Sequence, residues 1–273
     1  SASGFEWKSL LTLSHYNAVW IQREPNHYYE EYRARFYEPM NAIYYYETAG
    51  IINLDRSDMP ASQQSLSPDA QKPGYPIIKD QNGDNQITVD DIKLRNTLPK
   101  INLGLGNTFA YKNIDLDVFL YGQSGQWKRN YAYSWASVGD LYYTGPKNTN
   151  QYAFEIWNSQ TNPDGSRRGI ASTKAVPLPG DVGYIDDFQD ASFVRVRNIT
   201  LGYNIAGTRL SRLGKYIQHI RVYVDCQNPF TFTNFVGVDP EAETGGYYTG
   251  YNSISAAEYP MIRTFSFGTM IRF

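Results

Sequence analysis

The C-terminal segment Arg263-Thr264-Phe265-Ser266-Phe267-Gly268-Thr269-Met270-Ile271-Arg272-Phe273 alternates without a break. Phe265, Phe267, Thr269, Ile271 and Phe273 share one face, and Thr264, Ser266, Gly268, Met270 and Arg272 share the other. A period of two belongs to a strand with unlike faces. A small or polar face backed by an aromatic and aliphatic one suits a transmembrane barrel strand of about 9–11 residues, with lipid on one side and a wet interior on the other. The last strand of a soluble sandwich alternates too, so the rest of the chain must decide between them.

The pattern recurs. Phe5, Trp7, Ser9, Leu11 and Leu13 alternate with Glu6, Lys8, Leu10, Thr12 and Ser14. The segment 33–46 is long and Tyr-rich. Leu103, Leu105, Phe109 and Tyr111 oppose Asn102, Gly104, Gly106 and Thr108, and Ile114, Leu116, Val118 and Leu120 oppose Asp115, Asp117 and Phe119. Segments 192–204 and 217–228 turn Ile199, Leu201, Tyr203, Ile220, Val222 and Val224 outward. With the final strand, about seven strands are predicted. Glycines on an inner face weaken a buried soluble strand, but they suit a strand that curves or lines a filled lumen. Inward Asp115 and Asp117 would have to be paired or neutralised in a dry core.

Connection lengths alternate as well. Lys112-Asn113 reads as a tight turn, with Asn suited to positive φ. The stretch 205–216 is short and 16–32 intermediate, whereas 47–100, 127–191 and 229–261 are long. Short turns at one end and long loops at the other characterise up-and-down outer-membrane barrels. Counting strands back from a periplasmic C-terminus puts all three long loops on the extracellular side. The predicted fold is therefore all-β: the C-terminal part of a transmembrane antiparallel up-and-down barrel.

Composition excludes other classes. The 273 residues include 24 Tyr, 13 Phe and 5 Trp, too aromatic for a disordered chain. A net charge of −2 lacks the basic surface that nucleic acid requires. The mean hydropathy of −0.51 and the lack of a long apolar run exclude membrane helices but not barrel strands, whose alternation averages out. A single cysteine, Cys226, excludes an internal disulfide framework and a multi-cysteine zinc site. The N-terminus has no charged or apolar signal region, and the first strand begins almost at once, as in a fragment or a processed product.

A series of short motifs then resembles a family. Tyr44-Tyr45-Tyr46-Glu47-Thr48-Ala49-Gly50-Ile51, Lys72-Pro73-Gly74, Asp80-Gln81-Asn82-Gly83-Asp84, Leu98-Pro99-Lys100, Asp115-Leu116-Asp117 and Gly122-Gln123-Ser124-Gly125 come first. The run from Asp190 through Ser192-Phe193 and Arg195-Val196-Arg197-Asn198 to Tyr203 follows, then Gln227-Asn228, Gly237-Val238-Asp239-Pro240-Glu241 and Tyr259-Pro260. In order and spacing this is similar to the last third of SusC/RagA-like TonB-dependent transporters. Phe273 agrees, because bacterial outer-membrane barrels usually end on Phe. Asn85 stands where Gly is common and Lys100 where a second Pro is common.

The resemblance implies a 22-stranded barrel around an N-terminal plug. Residues 1–273 would be its C-terminal part, with the plug and the N-terminal strands outside this chain. It further implies the bacterial outer membrane with its lipid, a SusD-like surface lipoprotein as lid, TonB acting through the plug, and import of oligosaccharides or peptides. The alternative from the residues themselves is a secreted all-β module that binds carbohydrate and calcium.

Two candidate sites stand out. Residues 80–91 fit a twelve-residue calcium loop, with oxygens from Asp80, Asn82 and Asp84, the backbone carbonyl of Gln86, and Asp91 closing the set. Asn85 takes the place of the usual turn glycine, and Asp91 is shorter than the usual Glu, which weakens affinity. An Asx-rich turn without an ion fits the same residues. The second site is aromatic: Trp127, Tyr131, Tyr133, Trp135, Tyr142 and Tyr143 in one long loop, with Tyr247, Tyr248 and Tyr251 in the last. Such rings stack on sugars or pack peptides and leave polar tips for hydrogen bonds; rim girdles or loop cores would use the same residues.

Arg195, Arg197 and Arg221 are expected to pair with Asp115, Asp117 or Asp225 in a structural ladder. His15, His27 and His219 are scattered, and Cys226 has no visible His or Asp partner. Paired carboxylates for glycoside hydrolysis exist only as Asp186/Asp187 and Glu241/Glu243, without supporting context. No catalytic role is expected for this chain.

Overall fold

The computed structural model describes residues 4–22, 37–129, 160, 164, 178–181, 183–184, 188–206, 209, 216–236, 239–241 and 261–273. Their strands, in chain order, are β1 (Phe5–His15), β2 (Ala42–Tyr46), β3 (Thr48–Ile51), β4 (Pro76–Ile78), β5 (Ile92–Asn96), β6 (Ile101–Tyr111) and β7 (Ile114–Ser124). There follow β8 (Trp127–Arg129), β9 (Gly183–Tyr184), β10 (Phe188–Asp190), β11 (Phe193–Ala206), β12 (His219–Thr233) and β13 (Thr264–Arg272).

Six long strands form one sheet in the order β1-β6-β7-β11-β12-β13, antiparallel at every junction. The order follows the chain, as in an up-and-down wall, and the sheet is open at β1 and β13. The expected seventh strand, 33–46, is not part of this wall. Within the described residues it supplies only β2, which pairs with β5 and, in parallel, with β9 in a separate sheet. That segment is pulled away because Tyr45 and Tyr46 are buried in loop structure, at 2% and 0% exposure.

The register divides the wall's faces as the alternation requires. Leu11 sits opposite Leu105, Phe109 opposite Leu116, Leu116 opposite Leu201, Leu201 opposite Val224, and Val224 opposite Phe267. This apolar face is open: Leu201 is 52% and Phe267 75% exposed. The other face carries Glu6, Lys8, Thr108, Asp115, Asp117, Thr200, Asn204, Arg221 and Asp225. At the β6–β7 turn the positive φ falls on Lys112 rather than on Asn113. Asn113 bonds across to β11 instead, its Nδ2 donating to Asn204 O at 2.8 Å.

One irregularity breaks the ladder. Between Val196 and Asn198 the register shifts against both β7 and β12, and Asn228 opposite takes a φ of +50°. A bulge there steepens the local twist and re-aims the side chains above it.

The buried apolar clusters of the described residues lie in the connections, while in the wall the rim end of β11 buries Phe193 and Val196. Tyr46, Leu66, Ala70, Ile78, Ile87, Ile92 and Leu178 form one buried cluster, and Ile52, Tyr75 and Ile77 a second. Residues 42–96 of the first connection thus fold as a small module beside the rim. The second contributes Leu178 to that core and Pro179 O to the Tyr46 hydroxyl at 2.9 Å.

Candidate functional site

The polar face of the wall is a network of paired charges. Arg221 on β12 bonds Asp115 on β7 and lies 3.6 Å from Asp117. Asp115 also accepts from Asn204, and Asp117 from Thr108 Oγ1 at 2.6 Å. Thr200 Oγ1 donates to Asp225 at 2.6 Å. The inward glycines make room for this layer: a Cβ on Gly202 would land on the Asp115 carboxylate and the Arg221 guanidinium, and one on Gly268 would strike the Tyr223 ring.

At the long-connection rim the pairing differs from the ladder expected. Arg221 does pair with Asp115 and Asp117. Arg195 and Arg197 do not reach them; they turn to Asp239 and Glu241 in the third long connection. Arg195, 1% exposed, donates from Nη2 to Asp239 Oδ1 and from Nη1 to Glu241 Oε2, both at 2.7 Å, and from Nε to Thr231 Oγ1 at 2.9 Å. Arg197 bonds the other oxygen of Glu241. The bulge beside Arg197 and the length of the guanidinium side chains carry these heads up to the rim. Burial works to raise the Asp239 pKa, but the N–H groups of Glu241 and Met261 and the Arg195 guanidinium outweigh it and hold the carboxyl below its ordinary range. Glu241, considered above as a hydrolytic carboxylate, is occupied by two arginines.

Of the nine aromatic candidates, Trp127 is described. It is half-buried at the start of the second connection, in β8 paired with β10. The Arg95 guanidinium lies 5.1 Å from its ring centroid and 5.8 Å from that of Tyr45. Tyr131, Tyr133, Trp135, Tyr142, Tyr143, Tyr247, Tyr248 and Tyr251 lie outside the described residues. A shallow depression on the first connection is lined by Ala49, Gly50, Ile51, Asp58, Pro60, Ile77 and Asp164. Both Asp58 oxygens there accept from the Asn53 N–H.

The 80–91 loop has the tight turn that its sequence suggested. Gly83 and Asn85 take φ of +78° and +61°. Asp80 accepts from the N–H of Gly83 and Asn85, Asn82 from Asp84, and Asp84 from Gln86. Asp91 is fully buried, with Oδ1 on the Gln81 N–H at 2.7 Å and Oδ2 on the Thr88 N–H at 2.8 Å, the latter part of a capping box. Among the described residues no three His, Cys, Asp or Glu side chains gather as a metal cluster. A hard cation here would draw on Asp80, Asp84, the Asn82 amide oxygen and the Gln86 carbonyl, with Asp91 sharing its oxygens between ion and backbone. The Glu47 carboxyl beside this corner is held below its usual pKa by the Gln81 amide, against the effect of burial, with Lys79 and Lys93 adding to the lowering.

Sequence reasoning missed two buried amides. Gln63 is fully buried, donating to Ala70 O and Pro76 O and accepting from the Ile78 N–H. Gln126, 2% exposed, donates to Ala191 O at 2.8 Å and Pro240 O at 3.4 Å, joining the second connection to the third. Each partner lies in one of the long connections, outside the alternating wall strands, and no periodicity marks it.

An open apolar face, a charge-paired opposite face, strands in chain order and a folded rim define a wall segment of a membrane-spanning β-barrel larger than this chain. No family model matches the chain. It is 27% identical over 266 residues to TonB-dependent receptor P3 of Formosa agariphila, covering 93% of this chain and 24% of that protein. It is 28% identical over 205 residues to TonB-dependent receptor SusC of Bacteroides thetaiotaomicron, covering 74% of this chain and 18% of that one. It superposes on the RagAB peptide importer in its closed-closed state with a TM-score of 0.59 at 16% identity, over 89% of this chain and 25% of that one. The chain is homologous to TonB-dependent receptors, and it spans 24% or less of the length of these curated relatives.

Proposed function

We propose that this chain forms one side of the barrel wall and part of the outer rim of a TonB-dependent importer of large nutrients, oligosaccharides or peptides, in the bacterial outer membrane. The observation that carries the reading is the inverted wall. Leu11, Leu201, Val224, Phe265 and Phe267 stand open on one face while Asp115, Asp117, Arg221 and Asp225 pair on the other. In water that arrangement exposes the wrong side; in lipid around a wet lumen it is the stable one. A secreted carbohydrate- and calcium-binding module would bury its apolar face, so the inverted wall disfavours that reading.

On this reading the long connections face outward beneath a SusD-like lipoprotein, the C-terminus faces the periplasm, and TonB acts through a plug elsewhere in the protein. Trp127 and the other rim aromatics, Tyr131, Tyr133, Trp135, Tyr142, Tyr143, Tyr247, Tyr248 and Tyr251, would contact substrate or lid. The likeness in fold to the RagAB peptide importer suggests peptides as first substrates to try. The chain performs no bond chemistry of its own.

The test is uptake of labelled peptides and oligosaccharides by cells carrying the protein, with and without a collapsed proton gradient, alongside extraction of the protein. Energy-dependent uptake and a requirement for detergent are expected. A monodisperse, freely soluble chain in buffer refutes the reading. We further propose that the 80–91 loop takes calcium through Asp80, Asn82, Asp84, Gln86 and Asp91 and stiffens the first connection. Calorimetric titration should give a saturable signal that Asp84→Ala removes; a flat titration of the folded protein ends this proposal.

A further inference from the structure

The third long connection leaves the wall after Thr233 and rejoins it at Thr264. Its two stems meet at one carboxylate. Asp239 Oδ1 accepts from the Glu241 N–H at 2.8 Å on the outgoing stem, and Oδ2 accepts from the Met261 N–H at 3.1 Å on the returning stem. The same Oδ1 takes the buried Arg195 guanidinium of β11 at 2.7 Å. Arg195 is fixed from its other side by Thr231 and Glu241, and Glu241 by Arg197.

We propose that Asp239 is a positioning residue: a clasp that closes the neck of the third connection and fastens it to the wall through Arg195. Three features separate this from an incidental ion pair. The pair is almost completely withdrawn from water, with side-chain exposures of 1% and 6%. The two carboxylate oxygens serve stems 22 residues apart, so each has its own task. The joint also extends sideways, because Pro240 O between the two acids accepts from Gln126, which in turn holds Ala191 at the end of the second connection. A buried charge pair is costly unless its geometry and remaining hydrogen bonds are well satisfied, as they are here. The clasp holds whatever the protein transports; it needs only the wall and the rim.

The two oxygens make the inference testable. Asp239→Asn keeps an oxygen for Arg195 and Glu241 but replaces the acceptor of the Met261 N–H with an NH2 group. Asp239→Ala removes both. Peptide-resolved hydrogen exchange on the protein in its native membrane reads the stems separately. With Asp239→Asn, exchange at Met261 should rise at least tenfold while Glu241 and the 199–205 segment of the wall stay unchanged. With Asp239→Ala both stems should rise. Equal effects of Asp239→Asn on the two stems, or no effect on either, would overturn the clasp. If Asp239→Ala fails to assemble, the Asp239→Asn contrast alone decides. Uptake is not part of the readout, so failure of the transport reading leaves this test intact.

Discussion

Ile199 offers the sharpest test of the inverted wall. It lies on the apolar face of β11, opposite Val118 on β7 and Cys226 on β12. The apolar positions of β11 run from Val194 to Tyr203, nine steps with Ile199 near the middle. At about 3.3 Å per residue and a tilt of about 40°, nine steps span about 23 Å of height, close to the apolar band of a membrane barrel. An arginine at the midplane of such a band costs about 2–4 kcal/mol, and one at its edge about 0–1. Ile114, first residue of β7 beside the Lys112-Asn113 turn, marks that edge. Ile199→Arg should therefore lower the folded-to-unfolded ratio by roughly 30- to 700-fold, at about 1.4 kcal/mol per tenfold. Ile114→Arg should cost less than about tenfold by the same scale. Equilibrium unfolding of the intact protein in lipid vesicles, followed by the gel shift on boiling, measures both. Equal costs at the two positions, or no cost at Ile199, would mean that this face does not meet lipid.

Gly202→Ala places a methyl group against Asp115 and Arg221 and should cost about 1–3 kcal/mol by overpacking. Gly106→Ala, whose nearest neighbours would lie at 3.8 and 4.0 Å, should cost little; the same unfolding assay compares them. Gln63→Leu leaves the Ile78 N–H without its side-chain acceptor inside the first connection and should destabilise that module by about 1–3 kcal/mol. The expected readout is faster proteolysis within 61–78 with the wall still assembled. The Asp239 carboxyl is held below its ordinary 3.8, so its contribution is complete above that value and is lost as pH falls through the lower folded one. Exchange protection at Glu241 and Met261 should therefore hold from neutral pH down to about 3.8 and fall below it, where protection that already falls near neutrality would contradict the assignment.

What could be read from the sequence, and what could not, divides along the range of the interactions. Alternation is local, so Phe265, Leu201 and Leu116 reveal their face from neighbours two residues away, and the structure places them there. The Lys112-Asn113 turn is equally local, although its strained φ went to the lysine because Asn113 has a partner on β11. The turn at 80–91 was visible for the same reason, but the fate of Asp91 was not. The carboxylate that composition offers as a ligand also accepts from the N–H groups of Gln81 and Thr88.

The errors all concern long-range partners. Tyr44-Tyr45-Tyr46 has the composition of a wall strand, yet Tyr46 is drawn into loop structure by carbonyls at Thr88 and Pro179, one of them 133 residues away. Arg195 and Arg221 share a residue type, a face of the sheet and a stock of inward aspartates, so the sequence treats them alike. Their strand positions separate them. Arg221 lies at the turn end of β12, where Asp115 of β7 is within reach across Gly202. Arg195 lies near the start of β11 at the open rim, beyond a bulge, where acids from the outgoing stem of the third connection arrive 44 and 46 residues later. The wall thus uses one chemistry for two tasks: ion pairs inside the span bind strand to strand, and the same pairs at the rim bind a loop to the wall. Height along the strand, which local pattern does not encode, decides which task an arginine takes.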